Sequence, residues 1–313
     1  MYTQSNLESE EIPSEAWVKE RRNYIGGSDV AAILQQSSFK TPLQVWLRKQ
    51  GVIDPTQSTP IMEFGNVFEP VMASYFEDIT GLKTRRVNKP FVHEEHEFLR
   101  ANIDRQILNT DGVPGTGVLE LKTTNSHRLN ALGGQYPLEW EFQIQHYLGL
   151  TGYQYGYLFI YERDTCEFYE PILVERNEEF ITENTQQLIE WWQAHMVEGN
   201  RPDPTSEEDL LILYPDSSDG KVVEASPTTQ KLYEELKQVR GEKSKLEDRE
   251  TELKNQLKEE IGDGERLVYG GHTLITWKSH TSRRLDTSKL REEQPGVYAD
   301  YQTKSSYRRF SIK

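Results

Sequence analysis

NIDRQILNTDGVPGTGVLELK, residues 102–122, holds two runs of strand-forming residues around a loop rich in turn formers. Alternation along the second run puts Glu120 and Lys122 on one face and Leu121 on the other. If the two runs close as a hairpin, Asp104 faces the same side as Glu120. Two carboxylates on one face can share a hard divalent cation through oxygen, and the Leu121 carbonyl can add a third oxygen. Lys122 beside them has its charge matched, which suits an inward-facing ammonium.

Phosphodiester hydrolysis calls for such a set. A divalent cation draws charge from the phosphoryl oxygen and lowers the pKa of a water. A lysine can hold that water or stabilise the charge that develops in the transition state. Alone, the pattern also describes an amphipathic strand with a surface ion pair. Three flanking stretches tilt the reading towards chemistry. FGNVFEPVMASYF places Glu69 one helical turn after Gly65. EFQIQHYLGLTGY sets Gln143 and Tyr147 at i and i+4 on one helical face. RRNYIGGSDVAAIL joins an arginine pair, a glycine turn and a helix start, features suited to a phosphate.

Outward from this centre, helices are expected over 14–24 (Ser14 as N-cap), over 29–35 (capped by Ser28 or Asp29), and over 42–50, ended by Gly51. Residues 61–80 carry Phe64, Phe68, Val71, Met72, Tyr75 and Ile79 at helical spacing, with Pro70 expected to kink or break the helix. KPFVH, FLRANIDRQIL and TGVLELKTT read as three consecutive strands. A helix over 138–150 leads to the strand pair YQYGYLFIYE and CEFYEPILVE, joined near Arg163–Asp164. A long helix over 177–198 then ends at Gly199, and RPDPTSEED breaks the periodicity.

Beyond residue 226 the pattern changes. Leu232, Val239, Leu246 and Leu253 are seven apart; Leu236 and Leu257 fill intervening positions that Lys243 and Glu250 interrupt. This describes a helix of about 30 residues. It reads as a self-associating coiled coil, an arm on its own chain, or a helical hairpin near Gly241. A β-hairpin around Gly270–Gly271 and a short basic strand, YRRFSIK, complete the chain. There is no internal repeat.

Of the 313 residues, 35% are hydrophobic and 28% charged, which supports a folded, soluble core. No apolar run is long enough to cross a membrane. MYTQSNLESEE lacks the basic start and apolar block of a secretory signal. Cys166 is the single cysteine, so an intrachain disulfide is excluded and a cytoplasmic setting is expected. The net charge of −15 argues against DNA binding by the whole surface. Positive charge is nonetheless clustered: Lys19 to Lys49, Lys83 to Lys89, and Arg283 to Lys313. His93 and His96 in HEEHE read as a solvated turn rather than zinc ligands. His146 reads equally as packing or as a contact beside the site. The alternating aromatics Tyr153, Tyr155, Tyr157, Phe159 and Tyr161 read as a half-buried strand, not a base-stacking platform.

The order Glu69, Asp104, Glu120-x-Lys122, Gln143-x-x-x-Tyr147 resembles the PD-(D/E)xK nuclease superfamily. IGGSDVAAIL, GNVFEP, ANIDR, LELKT and QIQHYLGLTGY together are similar to the YqaJ-type viral recombinase family, relatives of the phage lambda exonuclease, over residues 15–200. The resemblance implies an α/β fold, a mixed central sheet flanked by helices, with a C-terminal helical and β appendage. With the changes of composition and periodicity along the chain, this gives a flexible N-terminus (1–13), a nuclease core (14–200), a linker (201–227) and an appendage, a helical arm or coiled coil plus a β segment (228–313). It implies a Mg²⁺-dependent (Mn²⁺ as substitute) 5′→3′ exonuclease on linear double-stranded DNA, leaving 3′ overhangs for recombination by single-strand annealing. Implied partners are double-stranded DNA ends, an annealing protein and further copies of the chain, a ring-shaped trimer included. The setting would be the bacterial host cytoplasm, from a phage or prophage. By the same resemblance, Asp104, Glu120 and the Leu121 carbonyl hold the metal and Lys122 assists the attacking water. Glu69 acts through a metal-bound water or a second metal, Gln143 orients the site, and Arg21 and Ser28 meet the terminal 5′-phosphate. One departure stands out: Ile103–Asp104 replaces the usual Pro-Asp pair. Two other readings are another PD-(D/E)xK endonuclease or nickase, and a non-catalytic scaffold that binds DNA ends.

Overall fold

A computed structural model describes residues 19–53, 59–108, 115–131, 136–303 and 307–312, leaving aside the side chains of 130 and 131. Ser14, most of the expected first helix, and most of the loop before Gly115 lie outside the described residues. The chain divides into two compact units, Met1–Leu213 and Tyr214–Lys313.

In the first unit, β1 (Thr84–Arg86), β4 (Arg105–Ile107), β5 (Gly117–Thr124), β6 (Tyr155–Glu162) and β7 (Glu167–Phe168) lie side by side in that order; β8 (Ile172–Glu175) also pairs with β6. Strands β5 and β6 run parallel, from Val118↔Gly156 to Thr124↔Glu162. The other pairings in the sheet are antiparallel. A parallel pair needs a crossover. Here α4 (Ser126–Ala131) and α5 (Leu138–Thr151) lie within it.

Strand alternation decides what covers each face. Val118, Leu158 and Ile160 pack with Trp140, Ile144, Tyr147 and Leu148 of α5. Leu119, Leu121 and Phe159 pack with Met72, Ala73 and Phe76 of α3 (Pro60–Thr80). Glu120 and Lys122 therefore stand on the α5 face. A second layer forms beyond α5, where α1 (Gly27–Ile33) and α6 (Glu178–Trp192) join it through Val30, Ala31, Phe142, Leu188 and Trp191. The mixed α/β architecture expected from the sequence is the one observed.

Several expectations need correction. FLRANIDRQIL is not one strand. Its first half forms β3 (Arg100–Ala101) with β2 (Phe91–Val92), and its second half, β4, pairs with β1 and β5. Two different partners break the strand, and Asp104 sits in the break. CEFYEPILVE is divided likewise into β7 and β8, with the N–H-less Pro171 between them. Helix α3 continues through Pro70, so of the two expectations there the break does not occur. Helix α1 is capped by Gly26, not Ser28 or Asp29; Asp29, at its third position, accepts from the Gly26 N–H at 3.4 Å. Helix α2 (Pro42–Lys49) starts as expected, with the Thr41 hydroxyl accepting from the Gln44 N–H.

The expected linker, 201–227, spans the division between the units. Its first part forms α7 (Glu207–Leu213), whose Asp209 is fully buried. That carboxylate accepts from Thr41 Oγ1 at 2.7 Å, Gln44 Nε2 at 3.2 Å and the Thr205 N–H at 2.9 Å. These bonds tie the segment to the first unit.

The second unit opens with α8, Pro227–Ile261, a single helix of 35 residues capped by Ser226. It runs unbroken through Gly241, so the helical-hairpin alternative does not occur. Leu232, Leu236, Val239, Leu246, Leu253 and Leu257 are exposed along it. Strands β9 (Arg266–Tyr269) and β10 (His272–Thr276) form the expected hairpin, with both turn glycines at positive φ. Helices α9 (Thr287–Glu293) and α10 (Pro295–Asp300) follow. Residues 307–312 form no strand; Arg308 Nη1 instead donates to the Tyr214 carbonyl at 3.0 Å. Among the described residues, no helix is long and apolar enough to cross a membrane.

Candidate active site

The centre of the site is one carboxylate oxygen. Glu120 Oε1 accepts from Lys122 Nζ and from Gln143 Nε2, both at 2.6 Å. Lys122 Nζ also donates to Gln143 Oε1 at 3.1 Å, and Gln143 Nε2 to the Tyr147 hydroxyl at 2.7 Å. Gln143 and Tyr147 meet the strand together because α5 presents them one turn apart.

Asp104 reaches the site from the strand break. Its Oδ2 accepts from the Leu121 N–H at 2.8 Å. One step beyond the pair Arg105↔Leu119, the antiparallel register sets Asp104 opposite Glu120. The N–H and C=O of a strand residue leave by the same edge. The Leu121 carbonyl therefore points to the edge where Asp104 lies.

The charge in this cluster is unbalanced. Burial, then the Asp104 charge, push Glu120 up to about 8, against the pull of Lys122. Burial also raises Asp104, with Lys122 and the Leu121 N–H opposing it. Burial alone would lower Lys122, but Glu120 and Asp104 outweigh it and hold the ammonium charged. Buried Glu120 and half-buried Asp104 thus both draw on the half-buried Lys122 ammonium, and among the described residues the buried Glu120 Oε2 has no hydrogen-bond partner. Both features fit a divalent cation. Among the described residues, no three His, Cys, Asp or Glu side chains converge to enclose an ion. The donors offered are Asp104, Glu120 and the Leu121 carbonyl, an all-oxygen set suited to a hard cation.

Glu69, on α3, forms an ion pair with Arg105 at 3.2 Å, and its charge adds to the upward push on Glu120. It is therefore near the cluster without bonding to Glu120. Arg21 Nη2 donates to Ser28 Oγ at 2.8 Å, so the structure brings together the two residues expected at a terminal phosphate. Their turn abuts the site. A Cβ on Gly27 would lie 2.5 Å from Tyr147 Cε1 and 2.9 Å from Gln143 Cγ. The close approach of two helices explains the glycine.

The histidines His93 and His146 make contacts elsewhere. His93 Nδ1 accepts from the Glu95 and His96 N–H groups within its turn. His146 is buried, 3.1 Å from the Arg100 carbonyl. Sequence reasoning missed Arg105, although it directly follows Asp104 in ANIDR. It also missed the buried pair Asp29–Lys49, at 3.0 Å, because Lys49 reads as one more charge in a basic run.

Comparison with known proteins supplies the family. The YqaJ-like viral recombinase domain matches residues 16–154. The protein YqaJ of Bacillus subtilis (strain 168) is 30% identical over 309 residues, covering 97% of this chain and 95% of that protein. An alkaline exonuclease (LHK-Exo) from Laribacter hongkongensis is 19% identical, with a TM-score of 0.48, covering 59% of this chain and 94% of the other. A phage related exonuclease from Haemophilus somnus 129PT is 12% identical, with a TM-score of 0.41, over 56% of this chain and 96% of the other. The near full-length match to the Bacillus subtilis protein, with the domain match inside it, places the chain in the YqaJ-like viral recombinase family.

Proposed function

We propose that the chain is a Mg²⁺-dependent 5′→3′ exonuclease on linear double-stranded DNA, producing 3′ single-stranded overhangs for annealing-type recombination. The nuclease class rests on the family and on the site chemistry. The observation that carries the metal-dependent reading is the buried Glu120 Oε2, which has no hydrogen-bond partner among the described residues and lies in the field of Asp104.

Asp104, Glu120 and the Leu121 carbonyl would hold the cation. When bound, Mg²⁺ or Mn²⁺ supplies positive charge to the phosphoryl group and acidifies a water. Lys122 orients the attacking water and stabilises charge on the phosphate; Glu120 and Gln143 fix its Nζ for that task. Gln143 in turn is held by Tyr147. Glu69 adds negative charge to the site and orders Arg105. Arg21 and Ser28 take the terminal 5′-phosphate, a dianion that matches a guanidinium better than a bridging phosphodiester does. Self-association, a ring-shaped trimer included, a single-strand annealing partner and a phage or prophage setting in the bacterial cytoplasm complete the proposal by family likeness.

The test compares end-labelled linear duplex with a closed circle in Mg²⁺, Mn²⁺, Ca²⁺ and EDTA. Mg²⁺ and Mn²⁺ should support loss of 5′ label from the linear form only, and Ca²⁺ should support binding without cleavage. D104N and E120Q should each lower cleavage at least about a hundredfold without lowering the melting temperature. Cutting of the circle would mark an endonuclease or nickase. Retention of DNA without cleavage in any metal would mark a binding scaffold.

A further inference from the structure

Lys49 ends α2 with its side chain 5% exposed. Its Nζ donates to Asp29 Oδ2 at 3.0 Å, to the Arg21 carbonyl at 3.3 Å and to the Tyr24 carbonyl. An ammonium has three donors. All three are spent on the segment 21–29. Asp29 Oδ2 also accepts from the Gly26 N–H. One ion pair thus ties the backbone at 21, 24 and 26 to the side chain at 29. Across the same loop Arg21 reaches Ser28.

We propose that Asp29–Lys49 is a positioning pair that sets the 21–28 turn so that Arg21 and Ser28 converge on a terminal 5′-phosphate. The inference rests on the 5′-phosphate reading of those two residues. Replacing a buried ion pair with apolar side chains often leaves stability unchanged, so stability alone does not account for this one. Nor is Lys49 a phosphate ligand, since it has no donor left. Its effect must pass through the turn.

The surrounding charge supports the assignment. Asp29 lies in the field of Lys49, Arg21 and Lys40, and Lys40 in that of Arg48. One carboxylate faces three cations, which leaves a surplus of positive charge where Arg21 and Ser28 meet. Asp29 lets those cations stand close together without neutralising them all.

The experiment measures kcat and KM on linear duplexes ending in 5′-phosphate or 5′-hydroxyl, for wild type, K49M, K49R and D29N, with R21A as reference. In K49M the KM for the phosphorylated end should rise about tenfold, towards the wild-type value for the hydroxyl end, as expected when an orienting partner is removed. The hydroxyl-ended substrate should change much less. K49R should recover part of the preference, because a guanidinium can still bridge Asp29 and a carbonyl. Should K49M fail to fold, D29N decides, since it keeps the shape and removes the charge that anchors Lys49. Equal losses on both substrates, or a preference retained in the variants, would overturn the proposal. A wild type blind to the end group, with intact cleavage, would instead remove the 5′-phosphate reading on which the proposal stands.

Discussion

Gln143 Nε2 lies 2.6 Å from Glu120 Oε1, on the very oxygen that Lys122 Nζ also reaches at 2.6 Å. The amide joins a helix to a strand and bridges a carboxylate and an ammonium. Its own oxygen takes a second bond from Lys122 at 3.1 Å. Gln143 thus fixes both charged groups at once, and the Tyr147 hydroxyl accepts from its amide.

Q143A should therefore slow cleavage through kcat. Removing an orienting partner of this kind costs about 10- to 100-fold. KM for linear duplex should stay near the wild-type value, because the residue is buried behind Glu120 and Lys122. Steady-state rates beside a thermal melt separate the effect from unfolding. A wild-type kcat would show that the contact does not orient Lys122.

Gly27→Ala should damage the site more than Gly26→Ala. A Cβ on Gly27 would strike Tyr147 and Gln143, at 2.5–2.9 Å, whereas one on Gly26 meets nothing nearer than 3.5 Å. Overpacking of this kind costs about 1–3 kcal/mol. Because the clash is with Gln143 and Tyr147, G27A should also lower kcat, while G26A should leave it within about twofold. Urea melts and initial rates on the two variants check this. Equal behaviour would mean that α1 and α5 can move apart freely.

Much of this arrangement is legible from the residues in order. Alternation in GVLELK places Glu120 and Lys122 on one face, and the i, i+4 spacing brings Gln143 and Tyr147 to it. What escapes the sequence is pairing at a distance. Local pattern does not say that 100–101 and 105–107 choose different strand partners, so it puts Asp104 on a strand rather than in a break. Lys49 is hidden for a related reason. Its partners are two carbonyls and a carboxylate twenty or more residues away in sequence, and a charged residue in a basic run carries no mark of burial. In α8, heptad spacing predicts the helix correctly but does not choose one helix over a hairpin at a glycine with open space around it.

A chain ending at residue 213 should fold and retain cleavage, whereas one ending at 200 should be much less stable. The longer form keeps Asp209 and its bonds to Thr41, Gln44 and Thr205. The shorter form leaves Thr41 and Gln44 without their buried acceptor, at about 1–3 kcal/mol for the unsatisfied groups. Denaturant titration of both forms tests the boundary. Gel filtration of the longer form against the full chain then tests whether the exposed apolar positions of α8 serve subunit or partner contact. An unchanged oligomeric state and unchanged annealing-protein binding would remove that role.

His146 should make the fold sensitive to mild acid. It lies on α5, 8% exposed, with Nε2 3.1 Å from the Arg100 carbonyl. Burial depresses its pKa to about 4, against weaker upward pulls from that carbonyl and from Asp29. In the unfolded chain the imidazole takes a proton near its ordinary value of 6.5. Between these values the unfolded state binds a proton that the folded state refuses. The stability from keeping this imidazole neutral is therefore complete above 6.5 and is lost as pH falls towards 4. The whole loss is at most about 3–4 kcal/mol, since each tenfold change in proton affinity is worth about 1.4 kcal/mol. H146Q keeps an amide donor for the Arg100 carbonyl but does not titrate. Urea unfolding from about pH 7 down to about pH 4.5 should give wild type a steeper fall than H146Q, the carboxylates titrating alike in both. Parallel curves would show that His146 is protonated in the folded chain or accessible to water.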